Sequence, residues 1–231
     1  LSAPVLSNVG RVHGGIVDNA IGFMRFSPDG AWLAAAVYKA SFVELFRFDR
    51  ETGVVSNPIP LDQDDWCYGL EFSPDGRKLY TVNQVSTPQL VQYDLSNPDS
   101  PAIAASKYLV ATPSVAQPGG LALAPNGKIY MAMWNGYCSV IVSPNVAGAG
   151  CLYADNAVPL GGGVAKLSMP NFPPYLLAEN QIQQSGPCVG DTTWLSLEDG
   201  YLVDSVRWWP GDGTGPITAA GSSYGHIYGS A

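Results

Sequence analysis

Short segments in which apolar and polar residues alternate recur along the chain, and each ends at a turn. Three such strand-turn-strand patterns cover residues 21–36, 68–82 and 120–132. In each pattern an alternating segment reaches Ser-Pro-Asp-Gly or Ala-Pro-Asn-Gly, and a second apolar segment follows at once. Proline presets φ for such a turn, Asp or Asn caps it, and glycine adopts the positive φ. No window of this length shows the roughly 3.6-residue period of a helix, so the pattern predicts pairs of β-strands.

The three patterns are spaced at nearly constant intervals. Their turn glycines, Gly30, Gly76 and Gly127, are 46 and 51 residues apart. A period of about 40 to 50 residues is typical of a four-stranded blade of a β-propeller. The sequence therefore predicts an all-β fold, a partial β-propeller of about three to four four-stranded blades.

The remaining strands of each unit follow its second strand. We expect the third and fourth strands at residues 42–49 and from 53 onward, at 89–95 and 102–109, and at 139–142 and 151–153. Residues 1–9 have the pattern of the last strand of an earlier blade. Residues 163–177 have the pattern of the first strand of a later blade.

The number of blades has a consequence for assembly. A propeller ring closes with about 4 to 8 blades, so the units counted here leave two open sheet edges. Open edges pair with other strands. We therefore expect two copies of the chain to form a homodimer around a two-fold axis and so complete the ring. The alternative is a piece of a longer propeller whose other blades precede residue 1.

The motifs resemble those of a known group of propellers. The turn motif Phe-Ser-Pro-Asp-Gly-x-x-Leu, at Phe26 and again at Phe72, resembles the WD-repeat-like propellers of secreted bacterial proteins. Residues 121–172 resemble the end of the propeller found upstream of polycystic-kidney-disease-type (PKD) domains in large bacterial surface proteins. The tail, with its motifs at 188–193, 203–213 and 226–228, resembles the first half of a PKD-type β-sandwich. The resemblance implies a partial β-propeller at 1–177 and a truncated PKD-like β segment at 178–231.

Composition and charge narrow the class of partner. The chain is 46% hydrophobic and carries 11 Lys and Arg against 19 Asp and Glu, a net charge of −8. Nucleic-acid binding needs clustered basic residues, so a nucleic-acid partner is not expected. No apolar run approaches the ~20 residues of a membrane helix, so no membrane span is expected. Together with the resemblance, this predicts a secreted or cell-surface protein.

The four cysteines leave two interpretations open. Cys67, Cys138, Cys151 and Cys188 form no Cys-x-x-Cys pair, which argues against a zinc knuckle. The even count permits two disulfides, and Cys138 and Cys151 flank one strand-turn-strand unit, so they are the first candidates for a pair. In the alternative, all four are small buried apolar residues.

Candidate chemistry lies in the loops that lead into each innermost strand and in those that join the second and third strands. Asp62, Asp64 and Asp65 place three carboxylates within four positions. Hard oxygen ligands suit calcium or another divalent cation. His13, in the glycine-flanked loop His13-Gly14-Gly15, and Asp64 are the candidate catalytic residues, because either side chain can act as a general base. The alternatives are a solvated acidic loop and an exposed histidine.

Five further loop residues are candidates for ligand binding. Aromatic rings at loop positions can stack on a sugar ring or an aromatic ligand, and amide side chains supply hydrogen bonds. The five residues are Trp66, Trp134, Asn135, Asn83 and Gln117.

Three functions are compatible with these features. The favoured one is an extracellular interaction module of a bacterial surface protein that binds a glycan or a protein, since no Gly-x-Ser-x-Gly elbow is present. The alternative is a metal-dependent propeller hydrolase that cleaves phosphotriesters, esters or lactones with a metal-bound water. In the third, the blades serve only as a spacer and bind nothing.

Overall fold

The computed structural model divides into two units, Leu1–Ala178 and Glu179–Ala231. The structure describes residues 3–62, 66–169, 182–186, 190–197 and 205–229. Among the described residues, no helix is long and apolar enough to cross a membrane.

The first unit consists of three four-stranded antiparallel sheets, here called blades 1 to 3. Blade 1 comprises β1 Met24–Phe26, β2 Trp32–Val37, β3 Phe42–Phe48 and β4 Val55–Asp62. Blade 2 comprises β5 Cys67–Phe72, β6 Lys78–Asn83, β7 Leu90–Asp94 and β8 Tyr108–Ala111. Blade 3 comprises β9 Leu121–Leu123, β10 Ile129–Ala132, β11 Tyr137–Ile141 and β12 Tyr153–Pro159. Within each blade the strands lie side by side in chain order, which confirms the predicted all-β partial propeller.

The repeated turn motif closes the first hairpin of each blade. Its glycines, Gly30, Gly76 and Gly127, have φ of 67°, 68° and 72°. In blade 1 the Ser27 hydroxyl donates to Asp29 Oδ1, and the Trp32 N–H donates to Ser27 Oγ at 2.9 Å. Ser73 and Asp75 repeat these bonds in blade 2. The motif is therefore a hydrogen-bonded turn.

Glycines allow the innermost strands of neighbouring blades to approach one another. β1 contacts β5, and β5 contacts β9. A Cβ on Gly69 would lie 3.1 Å from the Cα of Gly120, and a Cβ on Gly120 would lie 2.2 Å from the Phe23 ring. The blades then pack face to face over one apolar cluster between blades 1 and 2 and a second between blades 2 and 3.

Two predicted strands are wrong, and a third is not formed over the part of it that the structure describes. Residues 102–109 were expected to be one strand, but they contain most of the helix α1 Ser100–Ala105 followed by β8, because Pro101 favours a helix start and Ile103 is fully buried. Residues 3–9 form no strand. The segment contacts β4 through a side chain rather than through its backbone, because the Val55 N–H donates to Ser7 Oγ. Residues 163–169 also form no strand, and the rest of that prediction lies outside the described residues.

The predicted disulfide between Cys138 and Cys151 is also wrong. Both side chains are free thiols, and both are buried. Cys151 ends a short 3₁₀ helix at Gly148–Cys151 and packs in the core between blades 2 and 3, whereas Cys138 lies on β11 outside that cluster. Burial raises the pKa of both thiols. The alternative, small buried apolar side chains, is confirmed for these two, and Cys188 lies outside the described residues.

The second unit contains a three-stranded sheet and a hairpin. The sheet has the order β13 Ile182–Ser185, β14 Thr192–Leu197 and β17 Ser223–Ile227, and the hairpin pairs β15 Ser205–Trp208 with β16 Ile217–Ala220. His226 on β17 is buried, and its Nε2 lies 2.7 Å from Asp212 Oδ2. The PKD-like character of this unit stays a prediction.

Candidate functional site

A pocket of about 280 Å³ lies beside the innermost strand of blade 1. The segment before β1 forms one wall, and β1 and β2 form the other. The lining residues are His13, Gly14 and Ile16, together with residues 19–24 and 35–37. The pocket therefore lies at the end of blade 1 where β1 begins.

His13 lies at the rim of the pocket, next to a buried carboxylate. Its Nε2 is 3.7 Å from Oε2 of Glu44 on β3, and the Glu44 side chain is 3% exposed. The Arg11 backbone N–H donates to both Glu44 oxygens, at 3.0 and 2.9 Å. The imidazole also packs on Phe42, with the ring centroids 5.5 Å apart. The histidine loop is thus tied to β3, and its imidazole is held against that strand.

Asn19 fixes the other side of the histidine loop. Asn19 belongs to a 3₁₀ helix at Val17–Ala20, and its Nδ2 donates to the Gly14 carbonyl at 2.5 Å. Asn19 Oδ1 is buried and has no hydrogen-bond partner among the described residues. The helix is held to the turn between β2 and β3 by an ion pair of 2.8 Å between Lys39 Nζ and Asp18 Oδ2. Hydrogen bonding to Asp18 raises the pKa of Lys39.

An aromatic cluster continues from the pocket toward blade 2. The Phe23 ring, on the pocket wall, meets Tyr68 edge-on at 5.4 Å. Tyr38 lies 5.8 Å from Tyr68 and 5.6 Å from Trp66, and burial raises the pKa of Tyr38 and of Tyr68. Lys39 Nζ lies 5.5 Å from the centre of the Trp66 ring, which is partly exposed. Trp66 has φ of 48°, which is rare for a bulky residue.

A buried ion pair lies beside this cluster, between the innermost strands. Arg25 Nε on β1 is 3.3 Å from Glu71 Oε2 on β5, and the Leu123 N–H on β9 donates to the same oxygen at 3.2 Å. The Arg25 guanidinium also lies 4.9 Å from the centre of the Phe23 ring. Burial raises the pKa of Glu71, although Arg25 and two backbone N–H groups act in the opposite direction. These contacts hold the strands that position the pocket.

The predicted metal ligands fall mostly outside the described residues. Asp62 is the last residue of β4, opposite Phe42, and nothing is described of its side chain. Asp64 and Asp65 lie in the segment 63–65, which the structure does not describe. Within the described ranges, no three His, Cys, Asp or Glu side chains form a group that could hold a metal ion.

The other predicted ligand residues lie in blades 2 and 3, and none of them lines the pocket. Trp134 is partly exposed after β10, with Lys166 Nζ 5.7 Å from its ring centre. Asn135 Nδ2 donates to Asn156 Oδ1 on β12 at 2.9 Å. Asn83 is buried, and its Oδ1 accepts the Gln89 N–H. Gln117 is exposed in the loop before β9. The structure brings His13 to the pocket and Trp66 to its aromatic border, and it places these four elsewhere.

One residue of the site, Glu44, has no counterpart among the sequence predictions. In an alternating strand, Phe42, Phe46 and Phe48 lie on one face. Glu44 occupies the remaining position on that same face. A single carboxylate in such a row signals a buried charge with specific partners. Asn19, by contrast, lies in the loop that leads into the first predicted unit at residue 21, where candidate chemistry is expected.

Comparisons with known proteins place the chain in a family. The family model described as the SMP-30/Gluconolactonase/LRE-like region matches residues 21–149, more than half of the chain. The match contains all four strands of blade 1 and of blade 2 and the first three strands of blade 3. No curated protein matches the chain.

Several solved structures are similar to the chain. One is a Bacteroides uniformis protein with a candidate 6-phosphogluconolactonase assignment. It has 13% identity to this chain and a TM-score of 0.46, and the similarity covers 89% of this chain and 57% of that chain. A Xanthomonas campestris gluconolactonase has 14% identity and a TM-score of 0.41, covering 60% of this chain and 46% of that chain. The WD40 repeats of RRP9 have 15% identity and a TM-score of 0.44, covering 90% of this chain and 53% of that chain. The chain thus spans about half the length of these proteins. On the family match over residues 21–149, the chain belongs to the SMP-30/gluconolactonase/LRE-like family.

Proposed function

We propose that the protein is a hydrolase of cyclic esters, a lactonase, and that the pocket beside β1 is where the ester is cleaved. The observation that carries the proposal is the family match over residues 21–149, because that family is named in part for gluconolactonase. The pocket adds a histidine at its rim, and most of the side chains that line it are apolar. Sites for small molecules have this character, a concave apolar surface with a few convergent polar groups.

His13 acts as the general base in this proposal. Histidine is the side chain used most often to move protons in hydrolysis near neutral pH. The imidazole removes a proton from water, and the water oxygen attacks the lactone carbonyl carbon. The tetrahedral intermediate collapses, the ring C–O bond breaks, and the proton is returned to the departing alkoxide. The product is the open hydroxy acid, and the imidazole returns to its starting state.

Glu44 and Asn19 position this base. Glu44 is held by the Arg11 N–H and lies 3.7 Å from His13 Nε2, so it favours one orientation of the ring. Asn19 holds the Gly14 carbonyl, one residue after His13. Both contacts act on a loop that contains two glycines and would otherwise sample many conformations.

The family match favours a hydrolase over the extracellular binding module. Among the hydrolase substrates expected from the sequence, it favours lactones over phosphotriesters, because the family name itself includes a lactonase. The carboxylates of Asp62, Asp64 and Asp65 stay candidates for a divalent cation. The PKD-like tail, the bacterial surface protein and the glycan or protein ligand stay part of the alternative proposal.

The experiment is a turnover panel on the purified chain. The panel contains D-glucono-δ-lactone, δ-valerolactone, p-nitrophenyl acetate and diethyl p-nitrophenyl phosphate, each with added Ca²⁺, Mg²⁺, Mn²⁺ or Zn²⁺ and with EDTA. Acid release is followed by a pH indicator and corrected for spontaneous hydrolysis. We expect turnover of at least one lactone that exceeds turnover of the phosphotriester. Absence of lactone turnover under every metal condition overturns the proposal. Turnover that is lost only in the samples with EDTA shows that the reaction needs a metal ion.

A further inference from the structure

A partly exposed tryptophan lies next to the pocket. Trp66, immediately before β5, keeps 38% of its surface in contact with solvent. Its ring lies 5.6 Å from the ring of Tyr38, and the Tyr38 N–H donates to the Ile21 carbonyl at 2.9 Å. Ile21 lines the pocket. One residue, Tyr38, thus contacts both the pocket lining and the Trp66 ring.

Lys39 makes a second connection between the pocket and Trp66. Its Nζ lies 2.8 Å from Asp18 Oδ2 and 5.5 Å from the centre of the Trp66 ring. Asp18 belongs to the 3₁₀ helix Val17–Ala20, and the last two residues of that helix line the pocket. An ammonium group has three N–H donors, so the bond to Asp18 leaves donors for a hydroxyl group. The structure therefore combines an aromatic ring and N–H donors beside the pocket.

The backbone of Trp66 is held in an uncommon conformation by two hydrogen bonds. Its φ is 48°, in the left-handed region. Its N–H donates to Ser41 Oγ of blade 1 at 3.3 Å, and its carbonyl accepts the Gln84 N–H of blade 2 at 3.0 Å. Backbone strain of this kind persists where surrounding contacts hold it, and it is frequent at ligand sites. Contacts from two blades thus fix the position from which the ring projects.

The pocket itself can accept a hydroxylated ring. Its lining includes two glycines and three alanines, Gly14, Gly22, Ala20, Ala35 and Ala36. Such short side chains leave backbone N–H and C=O groups accessible, and these groups bond to hydroxyl groups. A volume of about 280 Å³ is at the lower end for sites that bind small molecules, so it suits one sugar ring rather than two.

We propose that Trp66 is a platform for a second sugar ring, and that the substrates are sugar lactones that carry a neutral glycosyl group. The inference rests on the proposed function, since it names the substrate class of the same site. The lactone ring occupies the pocket with its carbonyl toward His13. The C–H face of the glycosyl ring packs on the Trp66 indole, and Lys39 donates to one of its hydroxyl groups. The net charge of −8 favours a neutral over an acidic sugar.

The test compares disaccharide lactones with a monosaccharide lactone. The substrates are D-glucono-δ-lactone, D-cellobiono-δ-lactone and D-maltobiono-δ-lactone, so the glucosyl group is absent, β-linked or α-linked. The measured quantity is the ratio of kcat/KM for each disaccharide lactone to kcat/KM for D-glucono-δ-lactone. We expect the better of the two ratios to be about threefold to tenfold, the effect of one stacked ring. Ratios at or below one for both disaccharide lactones overturn the inference.

Two matched tryptophan variants locate the second ring. Trp66→Asn removes the platform and keeps a residue that tolerates positive φ, and we expect the ratio to fall to about one. The control is Trp134→Asn, because Trp134 has φ of 51°, is 42% exposed and has Lys166 Nζ 5.7 Å from its ring centre, but lies in blade 3. This variant should keep the wild-type ratio. Because both rates come from one sample, partial unfolding of a variant does not change the ratio. A ratio that Trp66→Asn retains, or that both variants lose equally, overturns the inference.

A binding measurement distinguishes failure of this inference from failure of the proposed function. The δ-lactams of gluconic and cellobionic acid and of maltobionic acid are poorly hydrolysed analogues, and titration calorimetry measures their affinity without turnover. Tighter binding of a disaccharide lactam by the wild type than by Trp66→Asn, in the absence of lactone turnover, supports the platform and rejects the lactonase. Lactone turnover with equal affinity for all three lactams supports the lactonase and rejects the platform.

Discussion

Arg25 Nε on the innermost strand of blade 1 lies 3.3 Å from Glu71 Oε2 on the innermost strand of blade 2. Both side chains are largely buried, with exposures of 15% and 8%. The same Glu71 oxygen accepts the Leu123 N–H of blade 3, so one carboxylate joins three blades. A buried charge is tolerated only when it is paired and hydrogen-bonded, and these contacts supply both.

Removal of the Glu71 carboxylate should destabilise the first unit. Glu71→Ala removes one ion-pair partner of Arg25 and the acceptor of the Leu123 N–H, so we expect the free energy of unfolding to fall by about 3–5 kcal/mol. Glu71→Gln keeps a carbonyl oxygen for Leu123 and should cost less than Glu71→Ala. Urea unfolding at neutral pH, followed by tryptophan fluorescence, measures both. Equal and small losses, below about 1 kcal/mol, would contradict a structural role for this carboxylate.

Glu71 should also make stability depend on pH. Burial raises its pKa in the folded chain above the ordinary value of 4.5, so the folded state holds the proton more tightly than the unfolded state. The part of the stability that depends on this proton is therefore complete below pH 4.5, and it is lost as the pH rises through the folded-state pKa. The difference in unfolding free energy between wild type and Glu71→Gln should shrink over that interval, by up to about 1.4 kcal/mol for each pH unit. A difference that grows as the pH rises toward 4.5 and is constant above it would show that the pKa is lowered instead.

Gly22 should tolerate no side chain, although it lies outside the repeated turn motif. Its φ is +147°, and a Cβ there would lie 2.0 Å from the Ala36 carbonyl oxygen. The flanking bonds Ala36 N–H to Phe23 O and Tyr38 N–H to Ile21 O hold both backbones in place. We expect Gly22→Ala to lower the free energy of unfolding by about 2–5 kcal/mol.

The matched control for this substitution is Gly127→Ala, measured by the same urea unfolding. Gly127 also has a positive φ, +72°, but a Cβ there meets no atom within 4 Å. Gly127→Ala should therefore lower the free energy of unfolding only by the left-handed backbone strain, about 1–2 kcal/mol. Equal costs for the two variants would mean that the close approach of Gly22 to β2 is absent.

The thiols of Cys138 and Cys151 should be unreactive in the folded protein. Both are buried, and burial raises the pKa of each, which lowers the fraction of reactive thiolate. Brief treatment with iodoacetamide at pH 8 should label these two residues only after denaturation, as read by peptide mass spectrometry. A cross-linked peptide that joins Cys138 to Cys151 in the unreduced protein would contradict the structure.

The strands near the repeated turns were predictable from sequence, and the segments between blades were not. The Ser-Pro-Asp-Gly turn encodes its own hydrogen bonds, because Ser27 and Asp29 close the hairpin locally. Residues 102–109 have an apolar pattern short enough to suit a strand or a helix, and the burial of Ile103 against neighbouring strands decides between them. Local pattern carries no information about that contact.

The candidate site was predictable only in part. His13 could be named because its loop precedes the innermost strand, but its partner Glu44 comes from another strand, 31 positions further along the chain. Contacts of that kind follow from how the segment before β1 lies over blade 1, which no local pattern specifies. The homodimer, the cell-surface location, the glycan or protein ligand and the metal at Asp62, Asp64 and Asp65 stay predictions.

The measurement that tests the account most directly is the effect of His13→Gln on the hydrolysis of the best lactone in the panel. If His13 is the general base, kcat should fall by about 10²- to 10⁴-fold while the circular dichroism spectrum stays unchanged. Glu51→Gln, in the exposed turn between β3 and β4 and remote from the pocket lining, serves as the control and should keep the wild-type rate. A His13→Gln protein that hydrolyses the lactone at the wild-type rate would contradict the account and place the reaction elsewhere on the propeller.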